Sequence, residues 1–487
     1  MKLTPILLIS CLALVACGHS TPANPAPAAQ LHSQSIYMPP PAPPGVSVRP
    51  DTYLVTLQEG IVDSEGLRNL FREQGFEITD VMEPRFAAPG PCGRVAYGLT
   101  DQWSRTPGEL LARLAELRNI VFGVDPLTGG VVGGVNEASR LLPDPTDDPS
   151  PPSVPWPLPH PHPLPDPTGY VDHLSAIGAG TAYARGHTGQ GVTIAVLDTG
   201  VSPHVSLAGK SGWVDGVSYT GDDIQDNLTD HLDPDVTGGV SAGHGTGVAE
   251  LAAGMPVEGS ATGVAPGASL LDVRVCDRFG RCRGIDVLKG LCHTLETLTD
   301  PAGLQNHLSL SRLVINLSFG GSQNSEAVGD VLRYAISEGA LVVAAGGNEG
   351  AASLPADVRN RAHFPAASPG ESADDGLVAV GALQMDPETG RWQHADFSTA
   401  GRYIDIAAPG ADLRTASALD RSVYSARAGT SFAAPLVSGA LAILRQAHPT
   451  WPSAQIEAAL KAAALPLVGE SRDTVGAGML NLSDAVF

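Results

Sequence analysis

Short apolar runs alternate with helix-like stretches after position 169. The runs are as long as buried strands, and apolar residues recur at helical spacing between them. Buried strands separated by helices predict an α/β fold, with a mostly parallel central sheet and helices on both faces. The predicted strands are 192–197, 270–275, 313–317, 341–345, 377–380 and 403–406, and the predicted helices are 244–254, 284–298, 325–338 and 431–446.

A smaller module precedes this domain, at residues 51–126. Its strands alternate apolar and polar positions, whereas its helices repeat apolar residues every three or four positions. The resulting order β-α-β-β-α-β predicts a small α+β, ferredoxin-like fold. The predicted strands are 52–57, 76–82, 94–99 and 119–124, and the predicted helices are 64–74 and 107–117.

Two proline-rich segments flank the module. Residues 18–50 contain nine prolines from position 21 onward and predict an extended tether. Residues 127–168 are predicted as a linker, because 143–167 hold twelve prolines and such a run neither continues a helix nor pairs in a sheet. A proline-rich ligand for another protein is the other interpretation. The remaining residues, 169–487, are predicted as the main domain.

The first 17 residues have the pattern of an export signal. Met1-Lys2 carries a positive charge, and residues 6–16 are mainly apolar. Eleven helical residues rise only about 16 Å, which is too short to cross a bilayer core of about 30 Å. The sequence Leu14-Val-Ala-Cys17 resembles the lipobox of bacterial lipoproteins, which implies a membrane anchor at Cys17. Ordinary cleavage after Ala16, giving a secreted protein, is the alternative.

The composition narrows the function classes. The chain has 29 Lys+Arg and 51 Asp+Glu, a formal net charge of −22, which argues against nucleic-acid binding because phosphate contacts need a basic face. Only 16% of residues are charged and 43% are hydrophobic, so the chain can bury a core. We expect a globular, exported protein and a monomer.

Three side chains form a candidate catalytic set. Asp198 ends the first predicted strand, His244 opens a predicted helix, and Ser431 opens the longest helical stretch. A serine hydroxyl becomes a good nucleophile when an imidazole accepts its proton, and a carboxylate fixes the tautomer of that imidazole. Glycines flank all three residues, which permits close approach of a substrate backbone. The sequence therefore favours nucleophilic hydrolysis.

Each of these residues also has a structural interpretation. Ser431 is a good helix N-cap, and Asp-Thr-Gly occurs in ordinary turns and in aspartic proteases. An aspartic protease needs two such carboxylates, and the sequence has no second Asp-Thr-Gly or Asp-Ser-Gly. A lipase-type esterase would carry its serine in a Gly-x-Ser-x-Gly elbow directly after a strand. The sequence has this spacing at Gly239-Val-Ser-Ala-Gly243, but no predicted strand leads into it.

Four glycine-containing motifs follow one another in the main domain. They are Val196-Leu-Asp-Thr-Gly200, Gly243-His-Gly-Thr-Gly247, Ala345-Gly-Gly-Asn-Glu-Gly350 and Gly429-Thr-Ser-Phe-Ala-Ala-Pro435. With these motifs, the sequence from about residue 170 to the end resembles the subtilisin-like serine proteases. The resemblance implies that Asp198 orients His244, that His244 is the general base and that Ser431 attacks the scissile carbonyl. It also implies that Asn348 supplies an oxyanion donor.

The resemblance also indicates where substrate binds. In this family an extended peptide pairs as a strand between two protein segments. The corresponding residues are Gly280 and Arg281 on one side, and Ser318, Phe319 and Gly320 on the other.

Three positions near the motifs have open or altered roles. His363 falls near the main specificity pocket of the family, and a pocket wall and a buried, satisfied histidine are equally compatible with the sequence. The family often has histidine three residues after the catalytic one and glycine three further on. This chain has Gly247 and Glu250 there, so we expect altered packing with activity retained.

The cysteines suggest a disulfide, and a cluster of carboxylates suggests a metal site. Export permits disulfides, and we predict that Cys276 pairs with Cys282, the alternative being free thiols with Cys292 buried in a helix. No cofactor is expected for the chemistry. A carboxylate-rich loop favours either a structural Ca²⁺ site or a solvated surface. Its residues are Asp222, Asp223, Asp226, Asp230, Asp233 and Asp235.

The leading module lies where the family carries its inhibitor-type propeptide. The resemblance implies that the module assists folding, inhibits the enzyme as an intramolecular partner and is then removed by self-processing. The expected activity is hydrolysis of protein or peptide substrates through an acyl-enzyme. The alternative is a catalytically silent surface protein that retains the protease fold.

Overall fold

The computed structural model describes the leading module and most of the main domain. The described residues are 52–83, 90–103, 105, 107–117, 119–126, 130–132, 172–208, 210, 214–218, 243–257, 263–277, 280–299, 309–356, 358–368, 375–418, 422 and 424–485. The signal, the tether, the proline-rich run and the acidic loop lie outside them. None of the helices in this described part combines the length and apolarity that a membrane span needs.

The leading module has the predicted β-α-β-β-α-β order. Its four strands form an antiparallel sheet in the order β2-β3-β1-β4. Two helices cover one face, where Val55, Phe71, Tyr97 and Leu110 form a separate core. The elements are β1 (Thr52–Leu57), α1 (Glu65–Glu73), β2 (Phe76–Met82), β3 (Ala96–Asp101), α2 (Pro107–Glu116) and β4 (Val121–Pro126).

A short strand follows the module within the predicted linker, and the main domain follows in turn. The elements of its first half are β5 (Gly130–Val132), α3 (His173–Ala176), α4 (Ala179–Ala184), β6 (Thr193–Asp198), β7 (Val214–Ser218), α5 (His244–Ala253), β8 (Ser269–Arg274), β9 (Arg281–Cys282) and α6 (Gly284–Thr299).

The second half of the main domain begins at β10. Its elements are β10 (Leu313–Leu317), β11 (Phe319–Gly320), α7 (Glu326–Ser337), β12 (Leu341–Ala345), β13 (Leu377–Met385), β14 (Trp392–His394), β15 (Ile406–Pro409), β16 (Leu413–Ala416), β17 (Tyr424–Arg427), α8 (Thr430–Ala447), α9 (Ser453–Ala462) and α10 (Arg472–Val475).

The predicted parallel sheet is present in the main domain. Its eight strands follow the order β14-β13-β12-β10-β6-β8-β7, with β15 paired to β13, and all pairs are parallel except β13 with β14. Alternate residues of β6 enter two cores: Ile194 and Val196 pack on the α5 and α8 side, and Ala195 and Leu197 pack on the α6 and α7 side. The strands are apolar throughout because both faces are covered.

Several strand boundaries differ from their predictions: β3 and β4 lie two residues later, and β13 continues to Met385 instead of ending at 380. The strand expected at 403–406 begins only at Ile406 and continues to Pro409. The preceding residues form a turn, in which Ile404 N–H donates to the Gly401 carbonyl. The Tyr403 hydroxyl donates to the Gly346 carbonyl at 2.7 Å, so this aromatic residue braces a neighbouring loop instead of pairing in the sheet.

The second face of the module sheet packs against the main domain. Leu54, Met82 and Ala96 share one buried core with residues of α6 and α7. Asp80 on β2 pairs with Lys289 of α6. Its Oδ2 also lies 3.4 Å from Nη2 of Arg283, the residue just before α6. The module is therefore covered on one face by its own helices and on the other by helices of the main domain.

Candidate active site

Asp198 lies at the carboxyl end of β6, where parallel sheets place their functional groups. It is fully buried, and its Oδ1 accepts the backbone N–H of Thr199 at 2.7 Å. The Thr199 hydroxyl in turn accepts the Gly245 N–H at 3.0 Å, which joins the loop after β6 to the first turn of α5. The carboxylate is thus held in place by the backbone around it.

His244 is the first residue of α5 and contacts Asp198 directly. Its Nδ1 lies 2.8 Å from Asp198 Oδ1, and both side chains have no solvent exposure. A Cβ on Gly245 would lie 2.2 Å from the Gly200 carbonyl oxygen, so glycine is required for α5 to approach the Asp198 loop this closely. His244 Nε2 is buried and makes no hydrogen bond within the described residues.

Ser431 lies in the first turn of α8 and is buried. The next residue, Phe432, packs its ring 5.0 Å from the His244 imidazole, measured between centroids. The structure therefore brings Asp198 and His244 into hydrogen-bonding contact and sets the Ser431 end of α8 beside them.

A buried polar chain beneath Ser431 was missed by sequence reasoning. Ser438 donates to Asn316 Oδ1 at 2.8 Å, Asn316 Nδ2 donates to Ser318 Oγ at 2.9 Å, and Ser318 donates to the Ser431 carbonyl at 2.8 Å. The four residues are almost fully buried. Asn316, a lone amide within an apolar strand, was the available signal, because a buried polar side chain needs partners.

Asn348 lies in the glycine-rich loop after β12, and its amide is anchored to α8. Its Oδ1 accepts the Thr430 backbone N–H at 2.9 Å and the Thr430 hydroxyl at 3.0 Å. The same hydroxyl accepts the Gly347 N–H at 3.1 Å. An amide carries its donors opposite its oxygen, so these contacts determine which end of Asn348 can donate to a substrate.

The predicted substrate segments form a three-stranded antiparallel sheet with the chain's own β5. Val131 pairs with Arg281 of β9 and with Gly320 of β11, and Val132 pairs with Phe319. The strand lies within residues predicted as linker. Its partners are the segments named from sequence, so the structure brings Arg281, Phe319 and Gly320 together around one extended peptide.

A disulfide closes the turn that supports β9. Cys276 and Cys282 are bonded, which confirms the predicted pair. Between them Gly280 has a φ of +74°, and its N–H donates to the Asp277 carbonyl at 2.8 Å. The Arg281 guanidinium pairs with the Asp277 carboxylate. The turn is thus covalently and electrostatically fixed beside the cleft.

A second disulfide was not anticipated. It joins Cys92 of the leading module to Cys292 of α6, across 200 positions of sequence. Spacing alone carries no information about a bond between two domains, so these two cysteines were not paired from the sequence.

His363 is buried beside β11 and is also partnered. Its Nδ1 lies 3.5 Å from Glu349 Oε2, and a Cβ on Gly320 would lie 2.3 Å from its Nε2. Burial acts to raise the pKa of Glu349, but His363 and the Thr399 hydroxyl outweigh it and hold that pKa below its ordinary value. His363 therefore both borders the substrate strand and has a charged partner.

Glu250 shows how the altered α5 positions pack. It is fully buried beside β16, and its pKa is raised to about 8 by desolvation, with smaller opposing effects from the Ala416 backbone and Arg414. At Gly247, an added Cβ would lie 2.9 Å from the Thr415 hydroxyl. The missing side chain at 247 lets β16 pack against the helix.

Glu250 makes the stability of the domain depend on pH. At Glu250 the folded state retains a proton that the unfolded chain loses near pH 4.5, so the contribution of this residue to stability falls as pH rises from about 4.5 to about 8 and is level above that. One titrating group changes stability by about 1.4 kcal/mol per pH unit. Glu250→Gln, which mimics the neutral form, should therefore raise the apparent Tm at pH 8 more than at pH 5.

Calorimetry at pH 5 and pH 8 measures the change in Tm, and both proteins carry Ser431→Ala to prevent autolysis. Glu388→Gln, at an exposed turn, is the matched control and should leave the profile unchanged. Parallel Tm profiles for the parent and for Glu250→Gln would contradict a buried proton at this position.

The described residues contain no group of three or more His, Cys, Asp or Glu side chains placed to hold a metal ion. The acidic loop at 222–235 lies outside this part of the chain. The structure therefore does not test the expectation of calcium.

Comparison with known proteins assigns the chain to a family. The Peptidase_S8 model, which describes the subtilase family, matches residues 189–482. The match covers more than half of the chain, so the chain belongs to the subtilase family. Its members define the class of activity: this is a serine-type endopeptidase, which acts on proteins or peptides.

Individual relatives agree with this assignment. Subtilisin E from Bacillus subtilis is 31% identical over 315 residues, which cover 64% of this chain and 70% of that protein. Subtilisin BL from Lederbergia lenta is 34% identical over 316 residues, covering 64% of this chain and 97% of that protein.

A solved structure supports the fold. Fervidolysin from Fervidobacterium pennivorans, described as a keratinolytic enzyme related to subtilisin, matches with a TM-score of 0.61 at 21% identity. The match covers 89% of this chain but only 60% of fervidolysin, so this chain spans less than two thirds of that protein. At this identity the likeness shows the fold alone.

Proposed function

We propose that this chain is an exported, self-processing endopeptidase whose catalytic triad is Asp198, His244 and Ser431. The observation that carries the proposal is the buried 2.8 Å contact between His244 Nδ1 and Asp198 Oδ1, beside the first turn of the helix that holds Ser431. A histidine held by a carboxylate next to a serine is the arrangement that acyl transfer requires.

The proton path follows from this contact. Asp198 accepts the Nδ1 proton of His244, so Nε2 is the basic nitrogen that takes the proton of Ser431 as its oxygen attacks the carbonyl. His244 then gives that proton to the leaving amine, and an acyl-enzyme is formed. A water molecule then attacks the acyl-enzyme through the same proton transfers and releases the carboxylic acid product. These steps use side chains only, without a metal or a cofactor.

Asn348 and the backbone N–H of Ser431 are proposed to stabilise the oxyanion. The contacts of Asn348 Oδ1 with Thr430 support this role, because they fix the orientation of the amide through its oxygen and leave Nδ2 as the end that can face an oxyanion. The N-terminus of the 18-residue α8 adds a partial positive charge. In subtilisin, loss of one oxyanion donor lowers kcat by about 10²–10³-fold.

Substrate is proposed to bind as an extended strand between Gly280-Arg281 and Ser318-Phe319-Gly320. The antiparallel pairing of β5 with β9 and β11 supports this binding mode, because it is the pairing that a substrate would make. Each backbone hydrogen bond is independent of side-chain identity, so the cleft is suited to many peptide sequences.

The occupied cleft also supports self-processing, with residues 51–126 as an inhibitor-type propeptide. From Val132 the strand direction leads toward Ser318, whose hydroxyl contacts Ser431. We infer that the scissile bond lies in the next few residues, within Gly133-Gly-Val-Asn136. Sequencing the new N-terminus of the processed protein would locate it.

Two disulfides among the described residues support export, because such bonds persist in oxidising compartments. We retain the proposal that Cys17 carries a lipid anchor, with simple secretion as its alternative. A structural Ca²⁺ in the acidic loop also stays a proposal, beside a solvated loop.

Labelling with a fluorophosphonate tests the catalytic assignment against a silent binding protein. Such reagents phosphonylate only an activated serine that they can reach, so processed enzyme from which the leading module has been removed should be labelled on Ser431. Ser431→Ala should not be labelled, and Ser337→Ala, at an exposed position on α7, should be labelled like the parent. Absence of label on folded peptidase domain freed of the module would favour the silent alternative.

A further inference from the structure

We propose that the leading module stays covalently attached to the peptidase domain after the connecting chain is cut, and that it continues to occupy the substrate cleft. This inference rests on the proposed self-processing and adds a regulation of the same site. The Cys92–Cys292 disulfide carries it, because this bond joins the module to the peptidase domain independently of the chain segment that is cut.

The bond is placed as a structural link between the two domains. Cys292 lies in the middle of the 16-residue α6, and Cys92 lies in the turn at 91–93 that precedes β3 of the module. The two residues are 1% and 4% exposed. Attack on a disulfide requires access of a thiol to sulfur, so burial protects this bond while the domains remain docked.

Noncovalent contacts fix the docked orientation around the disulfide. Arg94 lies 3.8 Å from Asp330 of α7, and Asp80 pairs with Lys289 of α6. Leu54 and Met82 pack in the same apolar core as α6. These contacts involve residues on both sides of Cys92 in the sequence, so the module is held at several points.

Once the connecting chain is cut, the disulfide remains as a covalent link between the module and the peptidase domain. A propeptide held only by noncovalent contacts is lost on dilution once it is cut. A tethered one rebinds in an intramolecular step, at an effective concentration of ~1 mM for a short connection. Inhibition in the cut enzyme should then be independent of protein concentration.

Release therefore requires a second event. Further proteolysis of the module backbone would remove it. Alternatively, a dithiol could reduce the bond: its two thiols become one disulfide, and Cys92 and Cys292 each gain one electron and one proton. Cys276–Cys282 is the comparison bond, because it lies within one domain and does not link the two halves.

Two measurements test the tether, and the first is independent of self-processing. A recognition sequence for a site-specific protease is placed in the linker of the Ser431→Ala full chain, between residues 143 and 167, and the chain is cut there. Denaturing electrophoresis should show one band without reductant and two with it. Two bands without reductant would overturn the proposal.

Two pairs of substitutions serve as controls for this cut chain. The double variant Cys92→Ser/Cys292→Ser should give two bands under both conditions, whereas Cys276→Ser/Cys282→Ser should behave like the parent. If the first double variant fails to fold, the comparison of the cut parent with and without reductant still decides the proposal.

The second measurement follows hydrolysis of a fluorogenic peptide by self-processed enzyme. On 100-fold dilution the specific activity of the parent should change by less than about twofold, whereas that of Cys92→Ser/Cys292→Ser should rise by more than about tenfold as the module dissociates. Equal activation of both would show that the module does not inhibit through the tether. Failure of the parent to cut itself would contradict self-processing, while the first measurement still decides the tether.

Discussion

Replacing Ser431 with alanine should abolish peptide hydrolysis and leave an uncut precursor. The hydroxyl is the proposed nucleophile, and loss of the equivalent group in subtilisin lowers kcat by about 10⁶-fold. Without an acyl-enzyme the chain cannot process itself, so the protein should accumulate near 50.1 kDa less its signal. Peptide hydrolysis and reducing electrophoresis measure the two effects.

The matched control is Ser337→Ala, which should retain full activity and normal processing. The Ser431 variant should still fold, because its backbone carbonyl keeps the contact with Ser318. If Ser431→Ala were trimmed at the same position as the parent, another protease would be responsible and self-processing would be wrong. If it retained hydrolysis, the nucleophile would be elsewhere.

Asp198→Asn should lower kcat by about 10⁴-fold while leaving the fold intact. Asp198 Oδ1 accepts from both His244 Nδ1 and the Thr199 backbone N–H. An amide of the same shape can present a donor to the imidazole, which favours the tautomer with the proton on Nε2. That nitrogen then cannot accept the Ser431 proton.

Steady-state kinetics should show the loss in kcat with little change in KM, because the fully buried Asp198 carboxylate acts through His244 and is not proposed to contact substrate. Asp386→Asn, in the turn between β13 and β14, is the control and should leave both parameters unchanged. A loss smaller than tenfold for Asp198→Asn would contradict the proposed role of the carboxylate.

The sequence was sufficient for the parallel sheet and for the contact between Asp198 and His244. Both depend on local patterns: strands buried on two faces are continuously apolar, and the site motifs are short, glycine-rich segments at strand and helix ends. The α/β assignment is confirmed by the family match and the structure. The motifs were found because their chemistry and their backbone geometry constrain the same few residues.

The parts that sequence did not predict depend on partners far along the chain. Gly130–Val132 has no strand pattern of its own and becomes a strand because β9 and β11 pair with it. Cys92 and Cys292 come close enough to form a bond only when the two domains have docked. The buried hydrogen bonds that connect Asn316 to Ser431 likewise form only when α8 packs on β10, and no short sequence pattern encodes that packing.

The shared core of the two domains has a consequence for how the peptidase can be produced. Leu54, Met82 and Ala96 supply the apolar cover over α6 and α7. A recombinant chain that starts at residue 169 would expose that helical layer to water and invite self-association. Preparations intended for crystallisation or assay should therefore begin no later than residue 51, so that the protease acquires its complete hydrophobic layer before the connection is severed.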